Sequence, residues 1–232
     1  MTENVRQHFI VTADDYGIRQ TAEPILRLVR EGHIDRVAVL IHYVSKEQAR
    51  ALLATGVKID IHLELINLLK SGDKMYGGVF VRVTNFVARF LSGYVSSVKA
   101  EKEWRIQIAR FRELFGRLPD GFNSHEYVHH FPVFFRLVLK LAKEYDISFV
   151  RFGRKGMLVD LHHKLVGKIL SILWKRTLPD FEKSGLPTSD YLVSFDWLDD
   201  FAGFSQNLPD GTIELVVHPE REEEYRAILE SF

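Results

Sequence analysis

The sequence predicts an α/β chain folded as one domain, a closed or nearly closed (β/α) barrel with about seven mostly parallel strands. Three observations point there. Strand-like and helix-like patterns alternate along all 232 residues, as a parallel sheet with helical crossovers requires. No internal repeat, low-complexity tract or Pro/Gly/Ser-rich linker divides residues 1–232, a length that suits one large domain. The strand-like runs also end repeatedly on carboxylates and histidines, and barrels of this class assemble their sites from the carboxyl ends of the strands.

In chain order, the first strand candidate (7–13) carries the β-prone His8-Phe9-Ile10-Val11 and stops at Asp14-Asp15-Tyr16-Gly17, ahead of a helical stretch over 21–31. A second strand (36–42) ends on His42 and precedes a helix at 46–54. The third (57–63) alternates, so that Asp60, His62 and Glu64 share one side, opposite Ile61, Leu63 and Leu65. A helix over 99–115 sets Trp104, Ile108, Phe111 and Phe115 at spacings of three and four, an apolar face on a charged helix. The fourth strand (120–124) runs into Asn123-Ser124-His125, and Pro132 opens a helix over 132–145. Ile147-Ser148-Phe149-Val150-Arg151-Phe152 reads as a fifth strand, followed by an amphipathic helix over 160–175. Strands at 191–195 and 212–218 complete the set. The last ends on His218-Pro219, before a helix at 220–230.

Composition narrows the chemistry. With no cysteine, disulfides, Fe–S clusters and thiolate zinc sites are excluded, and any metal must be held by His, Asp or Glu. Lys+Arg and Asp+Glu balance at 31 each, so no global field recruits nucleic acid or an anionic membrane. No run reaches the length of a membrane span, and the N-terminus lacks a signal peptide's apolar core. A soluble, cytoplasmic protein is the expectation.

Each candidate residue also has a plain structural reading. Asp14-Asp15 before Tyr16-Gly17 is ordinary turn and helix-cap chemistry as well as a place for a metal ligand and a general base. His62 and Glu64 fit a half-exposed strand with a solvated face. His125, His129 and His130 fit surface histidines ahead of a helix, or a metal-site cluster. His125, Tyr127 and His129 share a side if that segment is extended, and His125 and His129 share a face if it is helical. His218 fits a hydrogen-bonded core histidine, yet barrel closure would set it beside the first strand, near Asp14. His162-His163 read as a solvated face, and His33 beside Gly32 as a helix end.

At this point the motifs resemble a known family, the YdjC-like carbohydrate deacetylases, which includes chito-oligosaccharide deacetylase and a deacetylase associated with hopanoid synthesis. Val11-Thr12-Ala13-Asp14-Asp15-Tyr16-Gly17 is similar to the family's N-A-D-D-F-G opening, and Asp60-Ile61-His62-Leu63-Glu64-Leu65 to its G-L-H-L-x-L block. Asn123-Ser124-His125-Glu126-Tyr127-Val128-His129-His130-Phe131-Pro132 resembles its D-S-H-Q-H-V-H-x-x-P signature. The likeness continues through 141–151, Ser189-Asp190-Tyr191 and Glu214-Leu215-Val216-Val217-His218-Pro219. The resemblance implies a deformed (β/α), TIM-like barrel that holds one divalent metal ion, zinc or magnesium first among the candidates, and N-deacetylates an amino-sugar or glycolipid. It implies Asp15, His62 and His125 as metal ligands, Asp14 as general base and His218 as the acid near the leaving group. Glu64, Tyr127, His129 and Arg151, at or beside the same strand ends, are expected to bind substrate. The chain departs from the pattern at Asn123, Glu126, Tyr127 and Glu220, none of them a presumed ligand.

Two other readings stay open: a metal-dependent hydrolase of another amide or an ester, and a carbohydrate-binding relative weakened by the Asn123 and Tyr127 departures. Retention of Asp14 favours chemistry, because a pure binder needs no free base beside the ligand. The amphipathic 158–176 stretch sets Leu161, Leu165, Ile169, Ile172 and Leu173 against Lys164, Lys168, Lys175 and Arg176. A lid or core helix and a peripheral membrane contact are both consistent with it. Periodicity does not separate core from an interface, so a homodimer is compatible with the sequence and not required by it.

Overall fold

The computed structural model describes residues 6–18, 20–65, 95–159 and 164–232. The first half alternates β1 (Phe9–Tyr16), α1 (Ala22–Arg30), β2 (Arg36–Val39), α2 (Lys46–Leu53), β3 (Lys58–Leu63) and α3 (Ser97–Phe115). The second half continues with β4 (Gly121–Ser124), α4 (Pro132–Glu144), β5 (Gly156–Met157), α5 (Lys164–Ser184), β6 (Tyr191–Ser194), α6 (Phe201–Gln206), β7 (Ile213–Val217) and α7 (Glu222–Ser231). Short 3₁₀ segments follow β4 (His125–His130) and β6 (Phe195–Trp197). All seven strands are parallel, in the order β4-β3-β2-β1-β7-β6-β5. The first strand is central and pairs with the last, as barrel closure demands, so His218 follows the strand adjacent to Asp14.

The expected fifth strand at 147–152 is a correction. The run splits at Gly153, whose φ is +77°. Before it, the chain bonds to β4: Phe122 N–H donates to Phe149 O at 2.9 Å, and Arg151 N–H to Phe122 O at 3.0 Å. After it, the chain bonds to the β6 side, where Gly156–Met157 pair with Tyr191–Leu192. The Phe122–Val150 bridge therefore joins the two edges of the sheet. The result is a deformed barrel whose fifth strand is two short halves.

Local chemistry sets the helices. Ser45 and Gln48 form a reciprocal capping box at the start of α2. The α3 helix is capped by Ser96 and ends at Gly116, with φ +69°. Its predicted apolar face, Trp104, Ile108, Phe111 and Phe115, is buried. Phe135, Phe152 and Phe181 bring α4, the split strand and α5 together, with ring centroids 4.9 and 4.5 Å apart across Phe152. In α5, Leu170, Leu173 and Phe181 are buried and Ile172 is 52% exposed, so the buried stripe differs from the expected one at that residue. Leu161 and His162-His163 lie outside the described residues. Among the described residues, no helix is long and apolar enough to cross a membrane.

The barrel interior is not wholly apolar. Low in it, Arg36 Nε donates to Asp60 Oδ2 at 2.8 Å, and the guanidinium lies 4.1 Å from the centroid of the Phe149 ring. Above that pair the interior charges become those of the candidate site.

Candidate active site

Consecutive strand residues point to opposite faces, so a regular β1 would send only one of Asp14 and Asp15 into the barrel. The strand instead runs on to Tyr16 and carries a bulge. Ala13 pairs with Val37 and Tyr16 with Val39, which sets three steps on β1 against two on β2. Asp15 takes up the extra residue with φ +63°. A bulge re-aims side chains, and both carboxylates end up on the same group of partners. Two more non-glycine residues with positive φ, Glu126 and Tyr127, follow His125 immediately. The segment is therefore not extended but a 3₁₀ turn kinked at those two residues, and positive-φ backbone gathers around one site.

Asp15, His62 and His125 present ligand atoms that all lie within 4.8 Å of one another. Asp15 Oδ1 is 3.0 Å from His125 Nδ1 and 3.3 Å from His62 Nε2, and the two rings stand nearly perpendicular at 82°. A zinc ion 2.0–2.2 Å from tetrahedral ligands sets them roughly 3.3–3.6 Å apart, and a magnesium octahedron sets neighbours at roughly 3.0 Å. One carboxylate and two imidazoles at these distances fit a divalent cation without choosing between the two. Burial works against the Asp15 charge, but His125 and His62 more than offset it and hold that carboxyl well below its ordinary range.

Asp14 lies one residue away in a different environment. Its two oxygens accept from Arg151 Nη1 and Nη2, each at 2.8 Å. Arg151 Nε donates to Glu214 Oε1 at 2.7 Å, and that oxygen also accepts from Thr12 Oγ1 at 3.1 Å. Burial alone would raise the Asp14 pKa, and Arg151 first, then His62 and His218, bring it below the ordinary value. Asp14 is thus an ionised carboxylate, 3.7 Å from His62 Nε2. For Glu214 burial prevails, and its pKa is raised.

His218 follows β7, with Nδ1 3.6 Å from Glu224 Oε2. Burial disfavours its imidazolium, but Glu224, Asp14 and Asp15 outweigh that and raise its pKa to about 9. Glu64 is buried, and among the described residues neither of its carboxylate oxygens has a hydrogen-bond partner. Burial raises its pKa against the pull of His42 and His125. Tyr127 is half-buried, its ring 5.0 Å from that of Trp197.

The structure groups the expected residues unequally. Asp14, Asp15, His62, His125 and His218 converge. Arg151 does not line a substrate wall: it is wholly buried behind Asp14, with its donors engaged by carboxylates. His129 is also buried, with Nδ1 2.6 Å from Ser124 Oγ and Nε2 3.0 Å from Arg151 O, so both ring nitrogens are taken by the protein. His42 lies 3.1 Å from Glu103 Oε1.

Sequence reasoning missed Gln107 and Glu214. Gln107 Nε2 donates to Glu64 O at 2.9 Å, its Oε1 accepts from Glu64 N–H at 3.0 Å, and Trp104 Nε1 adds a bond to Glu64 O at 3.1 Å. The α3 helix thereby holds the chain just past His62. A glutamine one place before Ile108 on an apolar face was the available signal, as was Glu214 inside the apolar run Ile213–Val217.

Comparison with known proteins places the chain in a family. A family model described as "YdjC-like protein" matches residues 8–230. Over 151 residues the chain is 27% identical to a carbohydrate deacetylase of Danio rerio, covering 61% of this chain and 48% of that one. Over 158 residues it is 28% identical to a chitooligosaccharide deacetylase of Escherichia fergusonii, covering 65% and 61%. The chain spans about half the length of the vertebrate relatives it matches. A crystal structure from Enterococcus faecalis, of a protein named for cellobiose-phosphate cleavage, shares the fold with a TM-score of 0.59 and 17% identity, over 90% of this chain and 80% of that one. With a family model matching nearly end to end, the chain belongs to the YdjC-like family.

Proposed function

We propose that this chain is a metal-dependent hydrolase that removes an N-acetyl group from an amino-sugar, oligosaccharide or glycolipid. The observation that carries the reading is the pairing of an Asp15–His62–His125 ligand set with a second carboxylate, Asp14, held ionised one residue away. The names of the relatives, carbohydrate deacetylase and chitooligosaccharide deacetylase, support the substrate class.

A divalent ion held by Asp15, His62 and His125 would supply an activated water and polarise the amide carbonyl. The chain's own residues supply the proton transfers. Asp14 accepts the proton of the attacking water, and Arg151 orients both of its oxygens. The same guanidinium makes Asp14 a weaker base, which suits it to a water that is already acidified. His218, an imidazolium at neutral pH, returns a proton to the departing amine nitrogen. Glu64 and the Tyr127–Trp197 pair are the groups assigned to the sugar.

The test is acetate release from N-acetylglucosamine, chito-oligosaccharides and an N-acetylglucosaminyl glycolipid, by metal-stripped protein and after adding Zn²⁺, Mg²⁺ or Mn²⁺. Metal-dependent release is expected from at least one. Asp14→Asn should lower turnover by about 10²–10⁴-fold while metal affinity changes little. If turnover survives that substitution, the base is another group. Sugar binding without release in any condition would support the weakened-binder reading.

A further inference from the structure

We infer that Glu224 is a positioning residue for His218: from α7 it grips that residue at both backbone and ring, and leaves Nε2 as the nitrogen that meets substrate. The inference rests on the acid role given to His218 above. One carboxylate oxygen makes both contacts. Glu224 Oε2 accepts from the backbone N–H of His218 at 2.6 Å and lies 3.6 Å from its ring Nδ1. The second distance is too long for a hydrogen bond, so that contact is one of charge. The other oxygen, Oε1, accepts from Arg221 Nη1 at 2.7 Å, and the same nitrogen reaches Asp196 Oδ2, in the 3₁₀ turn after β6, at 3.2 Å.

The α7 helix opens on three consecutive glutamates, Glu222, Glu223 and Glu224. Acidic residues in a first turn are ordinary partners of the helix dipole, and the first two are exposed, as that role allows. Glu224 is 3% exposed. The dipole does not require that burial, which costs free energy unless the charge finds partners. A glutamate at the third helical position commonly reaches back to the N–H of the capping residue, which here is Arg221. Glu224 reaches past it to His218, while Arg221 N–H bonds His218 O at 2.9 Å. The start of α7 is thus folded onto the residue that follows β7.

Within the ring, Nδ1 is closed off from solvent and has no hydrogen-bond partner among the described residues. Only Nε2, across the ring, can meet a substrate. A negative charge beside Nδ1 favours a proton there in either charge state of the ring, so the proton exchanged is the one on Nε2. As the amide C–N bond breaks, its electron pair stays on nitrogen and the Nε2 proton joins it. The ring is left neutral, with Nδ1–H facing Glu224. Glutamine at position 224 keeps an oxygen for the backbone N–H of His218 and removes the charge beside the ring. The capping and positioning roles of the side chain are therefore separable.

The test is steady-state acetate release, on whichever N-acetyl sugar the native chain hydrolyses, by Glu224→Gln, His218→Gln and the double variant. Glu224→Gln should lower kcat by about 10–10²-fold, short of the roughly 10²–10⁴-fold that an acid itself supplies, with KM and metal affinity unchanged. Added to His218→Gln it should lower kcat no further, because it acts through that ring. A kcat equal to the native one, or equal losses with and without His218, makes Glu224 a helix cap and overturns the inference while deacetylation stands. If the native chain releases no acetate from any N-acetyl sugar, the acid role of His218 fails and the inference with it. Should Glu224→Gln not fold, Arg221→Gln, which frees Oε1, enters the same cycle. A loss of kcat only where His218 is present is then expected, and equal losses in both backgrounds overturn the inference.

Discussion

Replacing Arg151 with methionine would leave Asp14 and Glu214 as neighbouring carboxyl groups in a dry interior with no cation between them. Breaking such a group by removing one partner typically costs about 3–5 kcal/mol, and urea denaturation of Arg151→Met should show a loss of that size. Combining it with Asp14→Asn should recover part of the loss, because the two side chains share one interaction. His218 makes the opposite kind of pH statement. Its folded pKa of about 9 lies above the ordinary 6.5, so its contribution is complete below about pH 6.5 and is lost as pH rises through about 9. The shift corresponds to at most roughly 3–4 kcal/mol. Denaturation of the metal-free chain from pH 6 to 10 should show that decline, and His218→Gln should flatten it. A slope unchanged by the substitution would assign the decline to other groups.

Two elements carry the site's geometry, and each offers its own test. The break at Gly153 lets one run serve both edges of the barrel. A Cβ there would lie 2.6 Å from Gly156 O and 2.8 Å from Leu192 N, both backbone atoms, in a conformation of positive φ. Gly153→Ala should therefore destabilise the fold by at least roughly 1–3 kcal/mol, and calorimetry would measure it. A loss well under 1 kcal/mol would show that the edge can shift freely. The α3 helix clamps β3 through Gln107, whose substitution by leucine would leave Glu64 N–H without its partner. A stability loss of about 1–3 kcal/mol is expected, together with weaker metal uptake, since the clamp lies two residues from His62. Metal affinity equal to that of the native chain would show that His62 does not depend on α3.

For the molecule as a whole, an ion that binds only the folded barrel stabilises it by mass action, by about 2.7 kcal/mol at one hundred times its Kd. For a chain of this size that corresponds to a rise in Tm of roughly 5–10 °C, reversed by chelation. Zn²⁺ or Mg²⁺ that leaves Tm unchanged in the native chain, at saturating concentration, would mean that the three ligands do not act together. His62→Gln should remove most of the rise, because one imidazole of the set is gone.

The alternation of patterns, the apolar face of α3, the helix opened by Pro132 and the clustering of carboxylates and histidines at strand ends were all legible in the sequence. They depend on local periodicity and on residue type, which neighbours along the chain suffice to define. The resemblance added an order of motifs that matches the family model over residues 8–230. What only the tertiary structure decided is where non-local partners meet. The bulge that turns Asp14 and Asp15 onto one site depends on how β1 registers against β2. The split of 147–158 depends on two sheet edges that lie far apart in sequence. Arg151 looked like a strand-end side chain free for substrate, and its role is set by Asp14 and Glu214, 137 and 63 residues away. A buried charge takes its function from the partners that replace water around it, and those partners exist only once the barrel has closed.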